Sequence, residues 1–257
     1  MEAKQPAFSR WAGNGFAREL VFLTPFDDPG TSPGKRPVEP GWQTKIVTPG
    51  DLIRWSDTHG NVGLRAKLFP AIDIDVDDQG VADLIARVAV ELLGATPART
   101  RANSPRRLLP YRLAGKPFAK AILAFTLPDG RATKVEVLAD GQQYVVAGTH
   151  ASGAALEWSP VAPVASELPT MTREQRDALL AALRPELVRL GCTGIEVKVA
   201  DDESRHAQPA RPGTERLVLI PGGDDLALSA RRADGYAATM PPGISGQRGH
   251  DATFSAL

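Results

Sequence analysis

Apolar and acidic residues alternate from Ile72 to Val76 within the stretch Pro70-Ala71-Ile72-Asp73-Ile74-Asp75-Val76-Asp77-Asp78. This is the period of a β-strand with one buried face. Ile72, Ile74 and Val76 form that face, and Asp73 and Asp75 share the other, their Cα atoms roughly 7 Å apart. Asp77, Asp78, Gln79 and Gly80 read as the turn that ends the strand. Val81, Leu84, Ile85, Val88 and Leu92 then recur at helical spacing, which predicts a helix over 80–93 stopped by Gly94. A strand–helix pair is therefore expected over residues 70–94. A second amphipathic helix is expected from Thr172 to Leu190, carrying Leu179, Leu180, Leu183 and Leu187, and Thr172 with Gln175 has capping-box spacing. A shorter helix is expected after Thr48, with Pro49 in its first turn and Asp51 complementing the dipole.

Other segments read as strands: 20–24, 61–65, 107–113, 118–127, 133–138, 143–147 and 194–199. Asp140-Gly141 predicts a tight hairpin joining 133–138 to 143–147. Phe8, Trp11, Phe16 and Leu20 stand at loosely helical spacing. Residues 25–40 are a Pro/Gly-rich loop, the stretch from Arg99 reads as a basic loop, and 159–169 is a Pro-rich connection. Residues 200–223 read as a polar linker and 224–257 as a helical C-terminal segment, leaving a folded unit over 1–199. Trp42, Trp55 and Trp158 are expected in the core rather than as stacking platforms.

At 257 residues, with 42% hydrophobic and 23% charged residues, the chain is long enough for a substantial core. Formal net charge is zero, so any attraction for nucleic acid has to be local. The single cysteine, Cys192, excludes an internal disulfide or a Cys-rich zinc site and fits a reducing compartment. No apolar run reaches the ~20 residues of a membrane span. The first fifteen residues lack the apolar core of a secretion signal, so a cytoplasmic protein with no membrane partner is expected.

Chemistry concentrates in three places. Asp73 and Asp75 are two carboxylates side by side, and a divalent cation between them relieves their repulsion. Arg99, Arg101, Arg106, Arg107 and Arg112 fall within fourteen positions that also hold Ser104. Glu136 follows on a later strand. Acids that hold metal ions, together with arginines that bind phosphate in bidentate fashion, are what nucleotidyl transfer from a triphosphate needs. The residues alone leave blander readings open. A solvated strand edge also explains the aspartates, a solvated face the arginines, and a pairing with Lys134 the glutamate.

Three stretches resemble one family: Ala71 to Val76, Ser104 to Arg112, and Lys134 to His150. Gly34-Lys35-Arg36-Pro37 and Gly41-Trp42 extend the likeness upstream. The family is the primase–polymerase (prim-pol) branch of the archaeo-eukaryotic primase superfamily, found in phages, plasmids and integrated elements. The resemblance implies an α+β catalytic core, with an RRM-like antiparallel sheet, packed helices and an N-terminal α/β unit. It implies that Asp73, Asp75 and Glu136 hold Mg²⁺ or Mn²⁺. The second motif of the family usually carries a histidine. Here Ser104-Pro105-Arg106 stands in its place, so the phosphate-binding role passes to Arg106 or Arg107, with Ser104, Arg112 and His150 beside the nucleotide. Lys35 and Arg101 are candidates for template or phosphate contact.

The implied activity is that of a template-dependent primase and DNA polymerase. Its partners would be nucleoside triphosphates, a single-stranded DNA template and a helicase domain or protein. The tail from Pro241 to Asp251 resembles the segment that leads to a helicase. The same acids suit a metal-dependent single-strand nuclease or phosphodiesterase, and the same arginines suit a non-catalytic nucleic-acid-binding domain of a replication initiator.

Overall fold

The computed structural model describes residues 7–200, apart from Asp57 and His59. The expected linker beyond Ala200, the helical C-terminal segment and the tail from Pro241 to Asp251 lie outside the described residues. The chain opens with α1 (Ala7–Trp11), continues through a π turn and a 3₁₀ turn to Glu19, and enters β1 (Leu20–Phe22). It then runs through α2 (Pro49–Ser56), β2 (Val62–Arg65), β3 (Ala71–Asp75) and α3 (Gln79–Leu93). Next come β4 (Ala98–Arg101), β5 (Arg107–Pro110), β6 (Arg112–Leu113), β7 (Ala121–Thr126) and β8 (Ala132–Leu138). The described part ends with β9 (Gln143–Ala147), β10 (Leu156–Ser159), β11 (Thr170–Met171), α4 (Arg173–Arg189) and β12 (Thr193–Val199). The fold is mixed α+β with a large antiparallel sheet, as expected.

Seven strands form that sheet in the order β10-β4-β5-β3-β8-β7-β12, with β3 near its middle. Its two faces have different fates. One face, with Ile72, Ile74, Val76, Leu123, Phe125, Val135 and Val137, packs under α3 and α4 in the main core. Asp78 caps α3 by accepting the Val81 N–H at 2.8 Å. Thr172 and Gln175 cap α4 reciprocally.

The other face is only half covered. A three-stranded sheet, β1-β2-β9, and the N-terminal helices meet it through a second core. This core takes in Phe8, Trp11, Trp55 and Leu64 from the N-terminal side and Ala71, Leu108 and Leu138 from the large sheet. Side chains two residues apart share a strand face. Ala71, Asp73 and Asp75 therefore stand in one row: Ala71 lies under the cover, and the aspartates emerge where the cover ends.

The expected hairpin does not form. Asp140-Gly141 does turn the chain, with Gly141 at φ 76° and the Gln142 N–H donating to the Ala139 carbonyl at 3.0 Å. Both edges of β8 are already taken, by β3 and β7, so β9 leaves the large sheet and pairs with β2 instead. That crossing leads the chain from the acidic face to the opposing sheet and leaves a cleft between them. The basic stretch from Arg99, expected as a loop, holds strand β4.

Candidate active site

The cleft is a cavity of about 550 Å³, within the usual range for small-molecule sites. Its floor is acidic. Asp73 stands directly across from Glu136 in the β3–β8 pairing, and both line the cavity with Asp75. The Asp73 carboxylate forms no hydrogen bond or ion pair with any described residue. Burial pushes it above the ordinary carboxylate range, Arg99 pulls it down, Asp75 and Glu136 push it up again, and Lys35 opposes them. Glu136 is also buried, and burial would raise it. Hydrogen bonds and charge from Lys120, then Lys134, outweigh that and leave it below its usual range. Its Oε1 takes Lys120 Nζ at 2.6 Å and Lys134 Nζ at 3.1 Å. Asp75 is bound by Nη1 of Arg106, whose Nε donates to Asp77 at 2.6 Å.

The opposite wall is cationic. Arg99 on β4 is half-buried, donates to the Val145 carbonyl and faces Asp73. Lys35, Arg101 and His150 complete the wall. Burial, then Arg101, Lys35, Arg99 and Arg106, hold the His150 imidazole below its ordinary range. The structure thus brings together Asp73, Asp75, Glu136, Lys35, Arg101, Arg106, Arg107 and His150 from the expected set. Arg107 pairs with Ile74 across β3–β5, so it shares the helical face of the sheet, and its guanidinium binds Asp83 of α3 at 2.6 Å. Arg112 is exposed on β6, paired with β11, and does not line the cavity. Ser104 also stands off the cavity lining, where its Oγ accepts the Arg106 amide N–H at 3.4 Å.

Sequence reasoning passed over Arg99 as a site residue, along with Lys120 and Asn61. The signal for Arg99 was its membership of the arginine run. Lys120 and Asn61 are single polar residues at strand ends, with nothing in the local pattern to mark them. Trp55 is buried as expected, and Trp158 is partly buried with its indole N–H on the Val146 carbonyl at 2.7 Å.

Among the described residues, no three His, Cys, Asp or Glu side chains form a group that could hold a metal ion. The reason is visible: lysines occupy Glu136 and Arg106 occupies Asp75. The Asp73–Asp75 pair nevertheless fits a hard divalent cation. Its donors are carboxylate oxygens, one carboxylate has no protein partner, and one or two protein carboxylates suffice when substrate phosphates and water supply the rest. In this arrangement Glu136 Oε1 is held by Lys120 and Lys134.

Two comparisons with known proteins bear on this chain. The family model for Prim-Pol, described as bifunctional DNA primase/polymerase, N-terminal, matches residues 17–171, more than half of the chain and every residue of the cavity. No curated protein matches. Among the described residues, no helix is long and apolar enough to cross a membrane.

Proposed function

The chain belongs to the Prim-Pol family, and from that premise we propose that it is a template-dependent nucleotidyltransferase, a primase and DNA polymerase that takes nucleoside triphosphates and a single-stranded DNA template. One observation carries the reading. An acidic floor with an unpartnered carboxylate, Asp73, faces a wall of cations across a cavity of triphosphate size. Large sheet, packed helices and N-terminal unit would then correspond to an RRM-like core and its α/β companion.

In this reading Asp73 and Asp75 hold Mg²⁺ or Mn²⁺. A bound divalent ion would lower the pKa of the attacking 3′-hydroxyl and neutralise charge on the phosphates. Lys35, Arg99 and Arg101 bind the triphosphate, and His150 donates a hydrogen bond to it. Arg106 replaces the second-motif histidine, exchanging Asp75 for a phosphate oxygen when the nucleotide arrives. Glu136 orients Lys120 and Lys134 beside the reacting end of the primer, and joins the metal ligands only if both lysines release it.

The test is primer extension with Asp73→Asn. Wild type is expected to extend, and the variant to lose roughly a hundredfold or more, the scale for removing a principal transition-state contact. Mn²⁺ should raise the unfolding temperature of wild type and leave that of the variant unmoved. Equal extension by both proteins would overturn the site. A second reading, a non-catalytic nucleic-acid-binding domain, is favoured by the cations seated on Asp75 and Glu136. It predicts DNA binding by wild type with no extension and no response to Mn²⁺.

A further inference from the structure

Lys35 and His150 reach the cavity from two loops far apart in sequence, and a single buried side chain joins them. Asn61, 3% exposed at the start of β2, uses both amide protons and its oxygen. Nδ2 donates to the Gly34 carbonyl at 2.9 Å and to the Thr149 carbonyl at 2.8 Å. Oδ1 accepts the Thr149 N–H at 2.9 Å. The residues held are the immediate neighbours of Lys35 and His150. Asn61 is itself anchored through its backbone, whose carbonyl accepts the Leu23 N–H at 3.0 Å.

Two glycines make room for this amide. A Cβ on Gly148 would lie 1.9 Å from Asn61 Oδ1, and one on Gly34 would lie 2.7 Å from Nδ2. Both glycines have positive φ, 121° and 71°, a backbone state that side chains disfavour. The approach of two loops to one amide therefore dictates the residue type at two further positions. Gln143 adds a separate hold on the Lys35 loop, donating to the Lys35 carbonyl at 2.7 Å.

Resting on the triphosphate reading of the cavity, we propose that Asn61 is the positioning residue that locks the Lys35 loop to the His150 loop and so sets the nucleotide-binding wall. Asn61 lines the cavity, but its amide is taken up by the two loops, so it acts through Lys35 and His150. The three bonds match its two donors and one acceptor, and no isosteric residue supplies that set. Asn61→Asp keeps the acceptor for Thr149 N–H but turns an oxygen towards two carbonyls.

The experiment measures triphosphate affinity by calorimetry in four proteins: wild type, Asn61→Ala, the double variant Lys35→Ala/His150→Ala, and the triple variant. Asn61→Ala is expected to weaken binding by roughly tenfold, on the order of one lost hydrogen bond, with KM rising more than kcat falls. In the background lacking Lys35 and His150, the same change should have less than a twofold further effect. An equal tenfold effect in both backgrounds, or none in either, would overturn the positioning role. Where Asn61→Ala does not fold, Gly34→Ala presses on the same amide from the loop side and is read against the same double variant. Failure of wild type to bind triphosphate at all would instead sink the reading of the cavity, which separates the two failures.

Discussion

His150 shows how much one side chain can report about this cavity. The Ser152 amide N–H donates to its Nδ1 at 3.1 Å, and Ser152 Oγ lies 2.9 Å from the same nitrogen. An N–H aimed at Nδ1 needs the lone pair there, so the neutral ring carries its proton on Nε2. Burial, followed by Arg101, Lys35, Arg99 and Arg106, holds its pKa below the ordinary 6.5. A bound triphosphate brings negative charge among those cations and raises it. Above the raised value the ring is neutral with or without ligand, and below the lowered value it is charged in both; only between them does binding take up a proton. Triphosphate affinity is therefore expected to strengthen as pH falls through that window. The nucleotide's terminal phosphate titrates nearby, so the readout is the difference between wild type and His150→Gln. Calorimetry in two buffers of different ionisation enthalpy should show proton uptake reduced in the variant. Identical uptake would remove His150 from the nucleotide.

At the scale of elements, the cap of α4 isolates stability from chemistry. Thr172 Oγ1 accepts the Gln175 N–H at 3.2 Å, and Gln175 Oε1 accepts the Thr172 N–H at 2.9 Å. α4 brings Leu179, Leu180, Leu183 and Leu187 to the face of the sheet opposite the acids. Thr172→Ala is expected to cost about 1 kcal/mol in chemical denaturation and to leave triphosphate affinity unchanged. This helix and α3 were legible because a long amphipathic period and a cap are local signals. So was β3, whose alternation states which side chains face the core. β4 and β10 were not, because Ala98–Arg101 is half-buried throughout and Leu156–Ser159 is a short edge strand. The Asp140-Gly141 turn was read correctly, but the partner of β9 was not, since pairing depends on which edges other strands have filled. The acids were legible from their shared face; the ion pair of Arg107 with Asp83 was not, because it depends on the register that β3 sets. Asn61 was invisible for a simpler reason: its two partner residues lie 27 and 88 residues away.

Across the whole molecule, zero net charge conceals a local field. Three basic side chains of the cavity are neutralised: Arg106 by Asp75 and Asp77, Arg107 by Asp83, Lys120 by Glu136. Lys35, Arg99 and Arg101 have no carboxylate partner among the described residues. Those three cations are the ones that a triphosphate and a DNA strand would both seek. Each phosphate contacted on a single strand contributes about −0.7 to the slope of log affinity against log salt, so three contribute about −2. If the cavity first serves the incoming nucleotide, a saturating non-hydrolysable triphosphate takes these cations away from the strand. The slope for single-stranded DNA should then become shallower by about 2. Using this difference cancels contributions from basic residues elsewhere in the chain. A domain that binds nucleic acid without catalysis has no triphosphate to accommodate, and its slope would be the same with and without the nucleotide. Fluorescence titrations at four salt concentrations, each with and without the analogue, distinguish the two.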